Sequence, residues 1–122
     1  MACRAALAVL ETFEKEKLLD RAKVIGERVM ERFKKMEREH EIIGDVRGVG
    51  AMVAMELVKD RATKEPAKDE TSALVKKCYD KGLVTISAGT YGNIMRILMP
   101  LVITDEQLDR GLNILEESLG EI

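Results

Sequence analysis

Ile43-Gly44-Asp45-Val46-Arg47-Gly48-Val49-Gly50, followed by the run Ala51-Met52-Val53-Ala54-Met55-Glu56-Leu57-Val58, is the stretch that decides the fold class. Three glycines within seven residues argue against a helix, because glycine loses more backbone freedom on ordering than any other residue. The run after them is almost continuously apolar and has the length of a buried strand. The stretch therefore reads as a glycine loop feeding a strand over about 50–58. A bulge or a close approach of backbones is expected near Gly48 and Gly50.

Helical patterns lie upstream. Residues 1–17 carry Ala6, Leu7, Val9, Leu10 and Phe13 at helical spacing, without a Ser, Thr, Asp or Asn cap in front. A second helix runs from about Leu18 to His40, with Ala22, Ile25, Val29, Phe33 and Met36 on one face and charges on the other.

Downstream, residues 59–69 form a polar surface loop. A short helix follows over about Asp69–Lys81, with Leu74, Val75, Cys78 and Tyr79 facing inward and Gly82 as its C-terminal glycine. Leu83–Ser87 and Ile94–Met99 read as two strands joined by the glycine-rich turn 88–93. Thr104-Asp105-Glu106-Gln107 matches a capping box, and Leu108, Leu112, Leu115 and Leu119 continue as a helix. The expected architecture is an α/β chain of the two-layer α+β kind, forming one domain over residues 1–122. A small, mostly antiparallel three-stranded sheet has its helices on one face.

Composition narrows the function. Of 122 residues, 46% are hydrophobic and 34% charged, so a core can form, built from aliphatic residues and methionine because aromatics are only 3%. A net charge of −2 with interspersed signs gives no reason to expect nucleic acid or an anionic membrane as partner. Cys3 and Cys78 form neither a disulfide framework nor a metal pattern and read as small core residues of a reducing compartment. Without a signal peptide or a spanning apolar run, the expected location is cytoplasmic.

No catalytic constellation is evident. His40 is the only histidine and sits at the polar end of a helix, away in spacing from any serine or cysteine. Glu116 and Glu117 occupy adjacent helix positions that do not face each other. The glycines at 44–50 precede a strand, the reverse of a dinucleotide fingerprint, and no P-loop is present. Arg96 is harder to explain, because it interrupts the apolar strand Ile94–Met99 and strand alternation puts it on a face with Ile94 and Leu98. A guanidinium there reaches solvent from an edge, pairs with an acid such as Glu56, or acts as a receptor that holds a carboxylate through two parallel hydrogen bonds.

Four segments carry a resemblance across essentially the whole chain. They are Ala5-Ala6-Leu7-Ala8-Val9-Leu10-Glu11, Ile43 to Met52, Asp80-Lys81-Gly82-Leu83, and Met95-Arg96-Ile97-Leu98-Met99-Pro100-Leu101. Together they resemble the C-terminal small domain of class III aminotransferases that use pyridoxal 5′-phosphate, above all the 4-aminobutyrate type. The resemblance implies the C-terminal domain architecture of fold-type I enzymes, with residues 1–17 as the interdomain helix. It gives Arg96 the role of binding the substrate carboxylate.

The resemblance also implies that the cofactor lysine and the phosphate cradle belong to a large domain absent from this chain. No catalytic, cofactor-binding or metal-binding residue is then expected here. The chain is expected to be a truncated, inactive fragment of a transaminase that acts on 4-aminobutyrate or a similar ω-amino acid and a 2-oxo acid. Its expected partners are the large domain of the same protein and a second subunit in a homodimer. Two alternatives stay open: a free-standing dimerisation or regulatory module, and the same domain from an amino-acid racemase, an epimerase or an ornithine-type aminotransferase.

Overall fold

The computed structural model describes residues 1–122. Its elements run α1 (Ala2–Lys15), α2 (Leu18–Glu39), β1 (Ile43–Val49), β2 (Met52–Asp60), β3 (Glu65–Pro66), α3 (Lys68–Asp80), β4 (Ile86–Ala88), β5 (Ile94–Ile97) and α4 (Asp105–Leu119). All strand pairs are antiparallel, in the order β1-β2-β5-β4, with β3 added to the C-terminal end of β2. The two-layer α/β architecture is as expected, but the sheet has five strands rather than three.

The extra strands escape sequence patterning for physical reasons. β1 contains Gly44 and Gly48, which weaken strand propensity but are needed for space. A Cβ on Gly48 would lie 2.5 Å from the Met52 carbonyl oxygen, and one on Gly44 would lie 2.6 Å from a Val58 methyl. β1 then reverses into β2 through Gly50-Ala51, with Val49 opposite Met52. Gly50 takes φ 53°, the left-handed region, at the first position of this two-residue turn, where hairpins favour glycine. The bulge lies at Gly44, where the register shifts between Ile43 and Asp45, not near Gly48 or Gly50. β3 has two residues, too few to show alternation.

Helix ends follow their local chemistry. Thr104 and Gln107 form the reciprocal capping box at the start of α4. At the end of α3, Gly82 has φ 88°; its N–H donates to the Tyr79 carbonyl and that of Leu83 to the Cys78 carbonyl, a complete Schellman motif. That turn uses Gly82 and Leu83, so β4 begins at Ile86 and not at Leu83. Tyr79 lies on the solvent side of α3 and is exposed, contrary to the expected inward orientation.

One core joins the sheet to α2, α3 and α4. Ile25, Val29, Phe33 and Met36 of α2 meet Val53, Met55 and Leu57 of β2, Met95 of β5, Leu74 and Cys78 of α3, and the four leucines of α4. Cys78 is a core residue whose thiol is pushed up by burial, but Cys3 is exposed on α1. No residue of α1 is buried, and Leu7, Val9 and Leu10 lie open.

Charges knit the helices on their outer side. Arg21 and Arg28 of α2 both reach Asp105, at 2.8 and 3.0 Å, and Arg28 also reaches Asp109 at 2.5 Å. Arg32 and Lys35 share Glu116. Glu117 turns the other way, to Lys81 at the C-terminal end of α3, at 2.6 Å, so the adjacent acids indeed face apart. No helix is long and apolar enough to cross a membrane.

Candidate functional site

The helices cover one face of the sheet, and the candidate site is on the other. Alternation along β5 sends Met95 into the core at 0% exposure and Arg96 to the uncovered face, as its sequence position implies. Across the strands Arg96 stands opposite Ala54 of β2 on one side and Ile86 of β4 on the other. It therefore belongs to an interior strand, not to an edge. Val49, Met52, Ile86 and Leu98 are exposed around it on the same face.

Glu56 is not its partner. Arg47 of β1 takes Glu56 at 2.8 Å and Asp45 at 2.5 Å. These two carboxylates hold the Arg47 guanidinium above its ordinary value, the hydrogen bond to Asp45 first and that to Glu56 next. Arg96 is left exposed, with no side-chain hydrogen bond or ion pair to any group of the chain. Sequence reading misses Arg47, because its relation to Glu56 depends on the β1–β2 register, which the glycine-containing strand conceals.

A groove of about 400 Å³ runs along Arg96–Pro100, between residues 83–86 and α4. Nine of its 14 lining residues are hydrophobic, and Arg96 is the only charged one; α4, with Leu108 and Leu112, places the groove at the helix-covered side of the sheet margin, so it borders the open face on which Arg96 stands and does not enclose that side chain. Asn93 fixes the approach to β5. Its side-chain amide donates to the Leu57 carbonyl at 2.9 Å, and its own carbonyl accepts from the Leu57 N–H at 2.8 Å.

Pyridoxal phosphate would need a lysine for its aldehyde, an acid at its ring nitrogen and a cradle for its phosphate. The groove beside Arg96 is lined by no lysine, aspartate or glutamate. Lys35, Lys59, Lys77 and Lys81 are engaged in surface ion pairs. The residues that line this groove do not fit that cofactor. No three His, Cys, Asp or Glu side chains converge as a metal site.

The family model for class III aminotransferases matches residues 1–119. A 5-aminovalerate aminotransferase of Pseudomonas putida is 49% identical over 122 residues, covering all of this chain and 28% of that protein. A leucine/methionine racemase of Thermococcus litoralis is 48% identical over 122 residues, covering all of this chain and 27% of that protein. A 4-aminobutyrate aminotransferase of Escherichia coli is 42% identical over 121 residues, covering 99% of this chain and 28% of that protein. Among solved structures, a Bacillus anthracis aminotransferase superposes with a TM-score of 0.89 at 36% identity, over 99% of this chain and 28% of the other. The chain thus spans little more than a quarter of the length of these relatives. With the family model running almost end to end, the chain belongs to the class III aminotransferases.

Proposed function

We propose that this chain serves as the C-terminal small domain of a pyridoxal-phosphate-dependent aminotransferase, and that Arg96 binds the carboxylate of its substrate. The observation that carries the reading is an exposed, unpartnered arginine on an interior strand, on the sheet face that the helices leave open. A planar guanidinium in that setting donates two parallel hydrogen bonds to a carboxylate. Its contribution is to position the substrate relative to the cofactor, not to move a proton. The cofactor supplies the carbanion-stabilising chemistry when bound, and its lysine and phosphate contacts belong to the remainder of a longer protein.

The substrate is an ω-amino acid of the 4-aminobutyrate or 5-aminovalerate kind, with a 2-oxo acid as amino acceptor. The names of the aminotransferase relatives support that choice. The large domain of the same protein covers α1 and the open sheet face, and the enzyme acts as a homodimer. In the full-length enzyme, Arg96→Ala is expected to raise KM for amino-acid substrates by ten- to a hundredfold, about 1.4–2.8 kcal/mol of binding. The absorption of the bound cofactor is expected to stay unchanged. Unchanged kinetics would remove the carboxylate role.

A second reading follows from the racemase relative at 48% identity. If the longer protein is a racemase, it interconverts the enantiomers of one amino acid without a 2-oxo acid. Chiral chromatography of reactions with and without 2-oxoglutarate separates the two.

A further inference from the structure

Arg47 and Arg96 lie in one row across the open face of the sheet. Both stand opposite Ala54, Arg47 from β1 and Arg96 from β5. Neighbouring strands are about 4.8 Å apart, so the two arginines are rooted about 10 Å apart with only a methyl group between them. Glu56 is two residues along β2 from Ala54, on the same face. It therefore stands diagonal to both, at the separation of roughly 7–8 Å that long side chains can bridge. That such a diagonal is bridged here is visible on one side: Arg47 holds Glu56 at 2.8 Å.

We infer that Arg47 is a positioning residue for Arg96: by engaging Glu56 and Asp45 it keeps the neighbouring carboxylate off Arg96 and leaves that guanidinium free for a substrate carboxylate. The inference rests on the carboxylate role of Arg96. Asp45 and Glu56 are cross-strand partners, so without Arg47 two facing carboxylates would repel each other. The unpaired cation diagonal to Glu56 on its other side is Arg96. Glu56 would swing to it and compete with substrate.

The test uses the full-length enzyme and three variants. Arg47→Met keeps the aliphatic stem and removes the cation. It is expected to raise KM for the amino-acid substrate about two- to fivefold at unchanged kcat, the size set by competition from one exposed ion pair. Adding Glu56→Gln to Arg47→Met removes the competitor and is expected to return KM to its starting value. A structural role alone, through Asp45–Glu56 repulsion, would also be relieved by Glu56→Gln, but it shows as a lowered and then restored melting temperature without a rise in KM at unchanged kcat. Should Arg47→Met not fold, Arg47→Gln, which can still donate to Asp45, is read by the same rescue. An unchanged KM in the single variant, or a raised KM that Glu56→Gln leaves in place, overturns the inference. Arg96→Met separates the two levels. If it raises KM strongly while Arg47→Met does nothing, only the positioning role falls. If Arg96→Met itself leaves KM unchanged, the carboxylate reading has failed first.

Discussion

Gly26 of α2 and Gly50 of the β1–β2 turn meet backbone to backbone: a Cβ placed on Gly26 would lie 2.0 Å from the Gly50 carbonyl oxygen. The obstacle is main chain on a constrained hairpin turn, so it cannot rotate away as a side chain could. Gly26→Ala is therefore expected to destabilise the protein by about 1–3 kcal/mol, although alanine is the better helix former. Gly111 of α4 supplies the control, because a Cβ there would meet only a Leu83 methyl at 3.4 Å. Gly111→Ala is expected to gain up to about 1 kcal/mol. Urea unfolding of both variants measures the contrast, and equal effects would show that the Gly26 contact is looser than described.

This contact also marks how far the sequence could be read. A close backbone approach near Gly48 and Gly50 follows from glycine clustering alone, the buried face of α2 from its apolar spacing, and the Thr104–Gln107 cap from its local motif. What glycine clustering cannot say is whether the glycines make a loop or a strand, and so β1 is lost. With β1 goes the register that joins Arg47 to Glu56 and removes that acid from Arg96. The direction in which Arg96 points was legible, because alternation along β5 depends only on local sequence. That it stands unpaired was not, because pairing is decided by residues of two other strands.

Arg61 is a second point of closure. Its Nε donates to the carbonyls of Glu41 and Ile43, both at 3.0 Å, and its Nη2 to those of Glu37 and His40, at 2.5 and 3.0 Å. One guanidinium thus satisfies carbonyls that the end of α2 leaves open and fastens them to the start of β1. Arg61→Ala is expected to cost about 1–3 kcal/mol in urea unfolding, in the range for hydrogen bonds to a charged group. Arg61→Lys should recover less than half of that, because an ammonium lacks the planar fork. Full recovery by lysine would mean that charge near the helix end matters and the fork does not.

The ion pairs around α4 set a pH window. Asp105 lies below its ordinary value of 3.8, chiefly through the hydrogen bond from Arg21. Glu116 and Glu121 lie below 4.5, chiefly through hydrogen bonds from Lys35 and Lys81. Groups depressed in the folded state add stability that is present above their unfolded values and lost as pH falls through the folded ones. Lys35 and Lys81 are raised above 10.5, so their share is complete below that value and lost as pH rises through their folded values. The melting temperature is therefore expected to be flat between about pH 5 and 9 and to fall below about pH 4. The fall should shrink at 1 M salt, where screening acts over about 3 Å. A melting temperature independent of pH down to 3 would show that these pairs contribute nothing measurable.

α1 should behave as a helix in search of a partner. It has 14 residues, none of them buried, and its N-cap makes no side-chain hydrogen bond. A helix of that length is marginal in water without packing. Its amides are expected to exchange with deuterium within the dead time of a manual experiment, while those around Ile25, Val29 and Phe33 remain protected for hours. Removing residues 1–15 from the 122-residue chain should then change its unfolding free energy by less than about 0.5 kcal/mol, the range for surface changes that disturb no core contact. The same deletion removes the exposed Leu7, Val9 and Leu10 and should lower self-association in sedimentation. Slow exchange in α1, or a large loss of stability on deletion, would place the helix in the core of the domain itself and count against the proposal that a large domain covers it.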